Sequence, residues 1–177
     1  MKKYAFFVIA ILALVIFASG CTTGGNNTST YSGNGVSFNY PGGWQQLQTS
    51  SQSTLVSVGD PKSIDNATGS INTLAAIQKA ALPSGTTLKQ VYDNTYAQFV
   101  AQDSTFKTIS DTTTTVDGAT AYVNIHTVDV KGVQKKEKAV WFEKNGSAYV
   151  ILCGSLPADF DSQQANFDTI INSFKVQ

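Results

Sequence analysis

Three glycine-containing dipeptides constrain this 177-residue chain more than any other feature. Asp117-Gly118, Lys131-Gly132 and Asn145-Gly146 each divide stretches rich in β-branched and aromatic residues. A two-residue hairpin turn needs positive φ at its central positions, which glycine adopts freely and Asn or Asp tolerates. The second half of the chain therefore reads as an antiparallel meander. Its strands are a Thr-rich one over 106–116, one around Ala121, Val123 and Ile125, one over 136–142, and one over 148–154. The last is a continuous apolar run, which predicts burial on both faces and a central place in the sheet.

Upstream, Val36, Phe38 and Tyr40 alternate with Ser37 and Asn39, a half-buried strand closed by Pro41-Gly42-Gly43. Leu55, Val56 and Val58 suggest another. Residues 71–80 fit strand or short helix and are taken as strand. Leu88, Val91, Tyr92, Thr95 and Phe99 share one helical face, predicting a helix over 86–102 with Ser84 or Thr86 as its cap. Phe160, Phe167, Ile170, Ile171 and Phe174 form a second stripe, with Asp159 or Asp161 as cap. Strands in runs, with helices between and after them, predict an α+β fold: an antiparallel β-sheet flanked by helices.

The start of the chain addresses location. Met1-Lys2-Lys3, an apolar run over 4–18, and Ala18-Ser19-Gly20-Cys21 resemble a lipoprotein signal cut before Cys21. The apolar stretch is shorter than the roughly 20 residues a transmembrane helix needs. The lipobox pattern prefers Leu where Ala18 stands. The expected organisation is a lipoprotein signal peptide over 1–20, a flexible Gly/Ser/Thr/Asn tether over 21–34, and one domain over 35–177. Cys21 is the expected lipidation site, and the cell membrane's extracytoplasmic face the expected location. An ordinary signal peptide and an uncleaved anchor are the alternatives.

Composition narrows the partners. There is no arginine, and with Lys2 and Lys3 removed, 10 lysines face 12 acids. Nucleic-acid binding normally shows a basic excess, so no nucleic-acid partner is expected. Cys153 sits in an apolar run and reads as a small core residue; a Cys153–His126 nucleophilic pair and a Cys21–Cys153 disulfide are the rival readings. His126, the single histidine, shares a strand face with Tyr122 and Asn124. Zinc normally takes three or four ligands, mostly His and Cys. A weak hard-cation site on Asp159, Asp161 and Asp168 is conceivable, but helix capping accounts for two of the three. No metal, cofactor or catalytic residue is assigned, and the chain reads as non-catalytic. Lys131, Lys135, Lys136, Lys138 and Lys144 read first as a charge-protected sheet edge, and second as a docking patch for an acidic partner or anionic headgroups. Asn26, Asn27, Asn66 and Asn145 each begin an Asn-X-Ser/Thr glycan acceptor sequence.

The segment Gly35-Val36-Ser37-Phe38-Asn39-Tyr40-Pro41-Gly42-Gly43-Trp44 resembles the opening of PsbP-like domains. The buried strand over 149–154, the following helix and the ending Ile170-Ile171-Asn172-Ser173-Phe174 are similar to their close, and Asn145-Gly146 sits where their last hairpin turns. The resemblance covers 35–177. It implies a PsbP-like α/β/α sandwich acting as a protein-binding or assembly module with a protein partner and a membrane anchor. A small-ligand or metal-ion-binding surface lipoprotein is the alternative. Phe38, Tyr40, Trp44 and Phe174 are expected in the core rather than in a ligand cage.

Overall fold

The computed structural model describes residues 28–49 and 51–177. The leader, Cys21, Asn26 and Asn27 lie outside the described residues.

Twelve elements follow one another: β1 (Thr28–Gly33), β2 (Val36–Pro41), β3 (Gln45–Leu47), β4 (Thr54–Gly59), β5 (Leu74–Ala81), α1 (Leu88–Gln102), β6 (Lys107–Val116), β7 (Ala119–Val130), β8 (Val133–Lys144), β9 (Ser147–Ser155), α2 (Gln164–Ser173) and β10 (Lys175–Val176). All strand pairs are antiparallel, in a seven-stranded sheet ordered β3-β4-β5-β9-β8-β7-β6 and a three-stranded sheet ordered β1-β2-β10.

β9 lies in the middle of the large sheet, as its unbroken apolar run requires. Tyr149, Ile151 and Cys153 join one core, with Val123, Val140, Phe142 and the stripe of α2. Ala148, Val150 and Leu152 join a second, with Ala139, Trp141 and the Leu88, Tyr92 and Tyr96 face of α1. Phe38, Tyr40, Trp44 and Phe174 are buried in the α2-side core. Phe174 links its parts, stacking on Phe38 at 6.1 Å and meeting Phe142 edge-on at 5.5 Å.

The three expected hairpin turns are present, each with positive φ at both central residues. A fourth, Asn34-Gly35, joins β1 to β2. Residues 28–33, read above as tether, are therefore a strand, and ordered structure begins earlier than 35. The segment has no apolar run because β1 is an edge strand with largely exposed side chains. The single sheet expected is two. The three-residue β3 is too short to leave a periodic signal.

Both caps differ from expectation. Thr87 caps α1, accepting from Gln90 N while Gln90 Oε1 accepts from Thr87 N, a reciprocal capping box. Thr86 instead donates its hydroxyl to the Pro83 carbonyl. α2 starts after a run of turns over 157–163, and no side chain caps Gln163. Asp161 pairs with Lys136 instead, and the Asp159 carbonyl accepts from Ser162 and Gln163. Among the described residues no helix is long and apolar enough to cross a membrane.

Two substitutions with opposite signs test this packing. Phe174→Ala removes the ring that bridges two sheets and a helix, and should lower unfolding stability by about 3–5 kcal/mol in chemical denaturation. Gln78 is 1% exposed on β5, with neither amide atom hydrogen-bonded. Gln78→Leu should raise stability by about 1 kcal/mol in the same measurement, because it removes a buried polar group that has no partner.

Candidate functional site

The Lys131-Gly132 turn sets the register of β7 against β8, so His126 and Glu137, each five residues from the turn, face one another. Both project toward α1. His126 is 2% exposed and Glu137 4%. His126 Nε2 donates to Glu137 Oε2 at 3.1 Å. Nδ1 lies 2.9 Å from the Asn124 side chain, two residues back on the same face. The Asn124 atom that faces Nδ1 is Oδ1, so Nδ1–H donates to it; only with the amide turned over does a neutral ring accept there from the NH2 group. In either state neither nitrogen keeps a lone pair free for a metal or for a substrate proton.

Aromatic rings hold this pair in place. Phe106 lies 4.6 Å from the His126 ring and Tyr96 5.9 Å from it. Tyr96 accepts a 3.1 Å hydrogen bond from Trp141 Nε1, and burial pushes its phenol far above the ordinary range. Phe99, in the last turn of α1, stacks on Phe106 at 5.3 Å. Together these groups bound a cleft of about 290 Å³ lined by Phe99, Asp103, Phe106, His126, Val128, Asp129, Val130, Lys131 and Glu137. Asp103 follows α1. Its Oδ1 accepts from the Thr105 hydroxyl and backbone N–H, which holds its carboxyl below the usual range. Asp129 Oδ1 accepts from Gly132 N at 2.6 Å and closes the β7–β8 turn. Val100 and Ile109, the large hydrophobic side chains left exposed among the described residues, flank Phe99 and Phe106 in sequence.

The other sequence candidates do not converge here. Cys153 faces the α2-side core and His126 the α1 side, so the sheet separates them and no Cys–His dyad forms. Trp44 packs edge-on against Phe167 at 6.3 Å in the same core as Cys153. Asp161 and Asp168 pair with Lys136 and Lys138 at 3.1 and 2.8 Å. Among the described residues no group of three or more His, Cys, Asp or Glu side chains could hold a metal ion.

Four of the five cluster lysines, Lys135, Lys136, Lys138 and Lys144, lie on β8, which is interior rather than the edge expected, and Lys131 sits exposed in the β7–β8 turn. The four on β8 are spread over both faces and tied down. Lys135 donates to Asn72 Oδ1, and burial lowers its pKa. Lys144 bonds the Asp117 carbonyl, and Lys136 also covers the Phe160 ring at 4.5 Å. They do not form one charged patch. Asn66 is exposed on a loop, whereas Asn145 adopts φ 52° in a hairpin turn.

Glu137 was not singled out from the sequence. The available signal was the turn itself, since a two-residue hairpin at Lys131-Gly132 places Glu137 opposite the only histidine.

A family model described as PsbP-like protein matches residues 18–176, and the chain belongs to that family. Its fold is similar to that of cyanobacterial PsbP (CyanoP) from Synechocystis sp. PCC 6803, at 20% identity and a TM-score of 0.64, covering 90% of this chain and 98% of that one. It is also similar to LpqN, involved in cell envelope biogenesis of Mycobacterium tuberculosis, at 13% identity and a TM-score of 0.57, covering 84% of this chain and 90% of that one. A third likeness is to the Saccharomyces cerevisiae Ran-binding protein Mog1p, at 10% identity and a TM-score of 0.57, covering 86% and 96%. No curated protein sequence matches.

Burial pushes the Cys153 thiol up to about 12. Since thiolate is the reactive form, Cys153 in the folded protein should resist a disulfide reagent at mildly alkaline pH and react fully once denatured. The unfolded thiol ionises near its ordinary value of 9.0 while the folded one stays protonated, so this group's contribution to stability is intact below 9 and is lost as pH rises toward 12. Stability of wild type and Cys153→Ala measured across that window checks the sign: the wild type should fall more steeply.

Proposed function

We propose that the protein is a membrane-anchored extracytoplasmic lipoprotein whose PsbP-like domain is a non-catalytic protein-binding or assembly module. Cys21 carries the lipid, and the domain meets its partner through the α1-side cleft. The observation that carries the binding reading is the state of His126. The only imidazole in the chain lines an open cleft yet has both nitrogens engaged by Asn124 and Glu137. Such a ring shapes a surface rather than transferring protons or holding a metal. At about 290 Å³ the cleft sits at the lower bound of small-molecule pockets, and apolar Val100 and Ile109 are exposed near it in sequence. Both features suit a side chain of a partner protein better than a free ligand. The Ran-binding name of Mog1p supports a binding function on this fold; the fold alone does not identify a partner.

Anchoring rests on the leader and on Cys21. In detergent phase separation of cells expressing the chain, the wild type should enter the detergent phase and Cys21→Ser should stay aqueous or retain its leader. Equal partition and equal leader processing of the two would overturn the anchored reading.

A further inference from the structure

We infer that the open edge of β6 is a docking surface for a second copy of this chain, which adds its own β6 antiparallel about a two-fold axis at Thr113. The inference goes beyond the binding reading and does not depend on it. The large sheet ends in two unlike edges. β3 has three residues, and so short a strand offers little to pair with. β6 has ten, and its side chains over 107–109 and 111–115 are exposed. Edges are normally blunted by lysine, proline or a bulge. Here Lys107 and the bulge between Thr108 and Ser110 sit together at the start of the strand. Residues 110–116 keep unbroken register with β7 and contain neither lysine nor proline. Thr112, Thr113, Thr114 and Thr115 are β-branched residues on an exposed strand, and such side chains favour packing against cross-strand neighbours.

The hairpin fixes which backbone groups are free. A two-residue turn with both φ positive makes Val116 and Ala119 a hydrogen-bonded pair. Bonded pairs alternate along an antiparallel ladder, so Thr114, Thr112 and Ser110 bond β7 as well. The N–H and C=O of Asp111, Thr113 and Thr115 therefore point away from the sheet, and an extended strand is their complement.

The side chains select a second copy. Pairing about Thr113 sets Thr113 opposite its own copy, Thr112 opposite Thr114, and Asp111 opposite Thr115, whose hydroxyl donates to the carboxylate. No like charges meet. This register engages all three free residues of each copy, about six backbone hydrogen bonds in all, two for each bonded pair. It also fits between the bulge and the Asp117-Gly118 turn. Centring on Asp111 instead would set two carboxylates face to face, which is destabilising. A two-fold pair consumes both edges at once, so association closes at two chains.

Sedimentation equilibrium of the full-length protein in density-matched detergent reads the number of chains per particle. The wild type should be a dimer with a Kd in the micromolar range, as befits a small interface. Thr115→Lys should tighten it about fivefold and Thr115→Asp loosen it about fivefold, because each change meets Asp111 of the other copy twice by symmetry. Thr113→Pro removes an outward N–H without taking a bond from β7, and should leave a monomer. Register is read by oxidation, with the wild type as control. A mixture of Thr112→Cys and Thr114→Cys proteins should cross-link, and neither protein should cross-link to itself, since only directly opposed residues come within disulfide reach. The changes at 112, 114 and 115 are on exposed positions and keep the test valid if Thr113→Pro does not fold. A dimer indifferent to the sign of the charge at 115, or either cysteine protein cross-linking to itself in preference to the mixture, would overturn the inference. So would a wild type that stays monomeric up to about 1 mM, which would leave this edge to a strand of a different protein.

Discussion

Burial of β9 on both faces is the constraint from which the rest follows. A strand apolar on alternate residues needs one covering layer, but Tyr149, Ile151 and Cys153 point one way and Val150 and Leu152 the other. The sheet therefore has to be covered twice. α2 and the three-stranded sheet lie over one face, with Phe174 packed against Phe38, Phe142 and Tyr149. α1 lies over the other, with Tyr92 and Tyr96 against Trp141. Two cores separated by one sheet also keep chemistry apart: the only described cysteine and the only histidine belong to different faces.

The two cores differ in character. The α2 side is a closed aromatic and aliphatic interior. The α1 side grades into polar groups where α1 ends and the β7–β8 turn begins, and there Asn124, His126 and Glu137 are buried beside Phe106. Burying a carboxylate beside an imidazole is costly unless both are paired, and the hydrogen bonds at 2.9 and 3.1 Å provide that pairing for the ring. Gln78 on β5 is buried without such pairing.

Much of the fold was legible in local chemistry. Asp117-Gly118, Lys131-Gly132 and Asn145-Gly146 announced their hairpins because positive φ restricts which residues can stand there. The stripe of Phe167, Ile170 and Ile171 announced α2. Missed elements had weak local signals. β1 carries Thr, Ser and Gly on an exposed edge and looks like a linker, although Asn34-Gly35 marks its turn. The helix caps were misplaced because several Ser, Thr and Asp stand near each start, and only backbone geometry selects Thr87 for α1 and none for α2.

What the amino-acid order settled by itself is what short-range sterics and burial settle: turn positions, the two-faced centre strand, the apolar stripes of both helices and the family likeness. The cleft was decided by the tertiary structure. Phe99, Asp103, Phe106, His126, Asp129 and Glu137 come from a helix end, a loop and two strands. Their meeting depends on α1 docking across the sheet, a long-range packing event that leaves no periodic trace along the chain. His126 stood out by its rarity. That both its nitrogens are engaged, one of them by the carboxylate facing it across the β7–β8 ladder, follows only once strand register and side-chain packing act together.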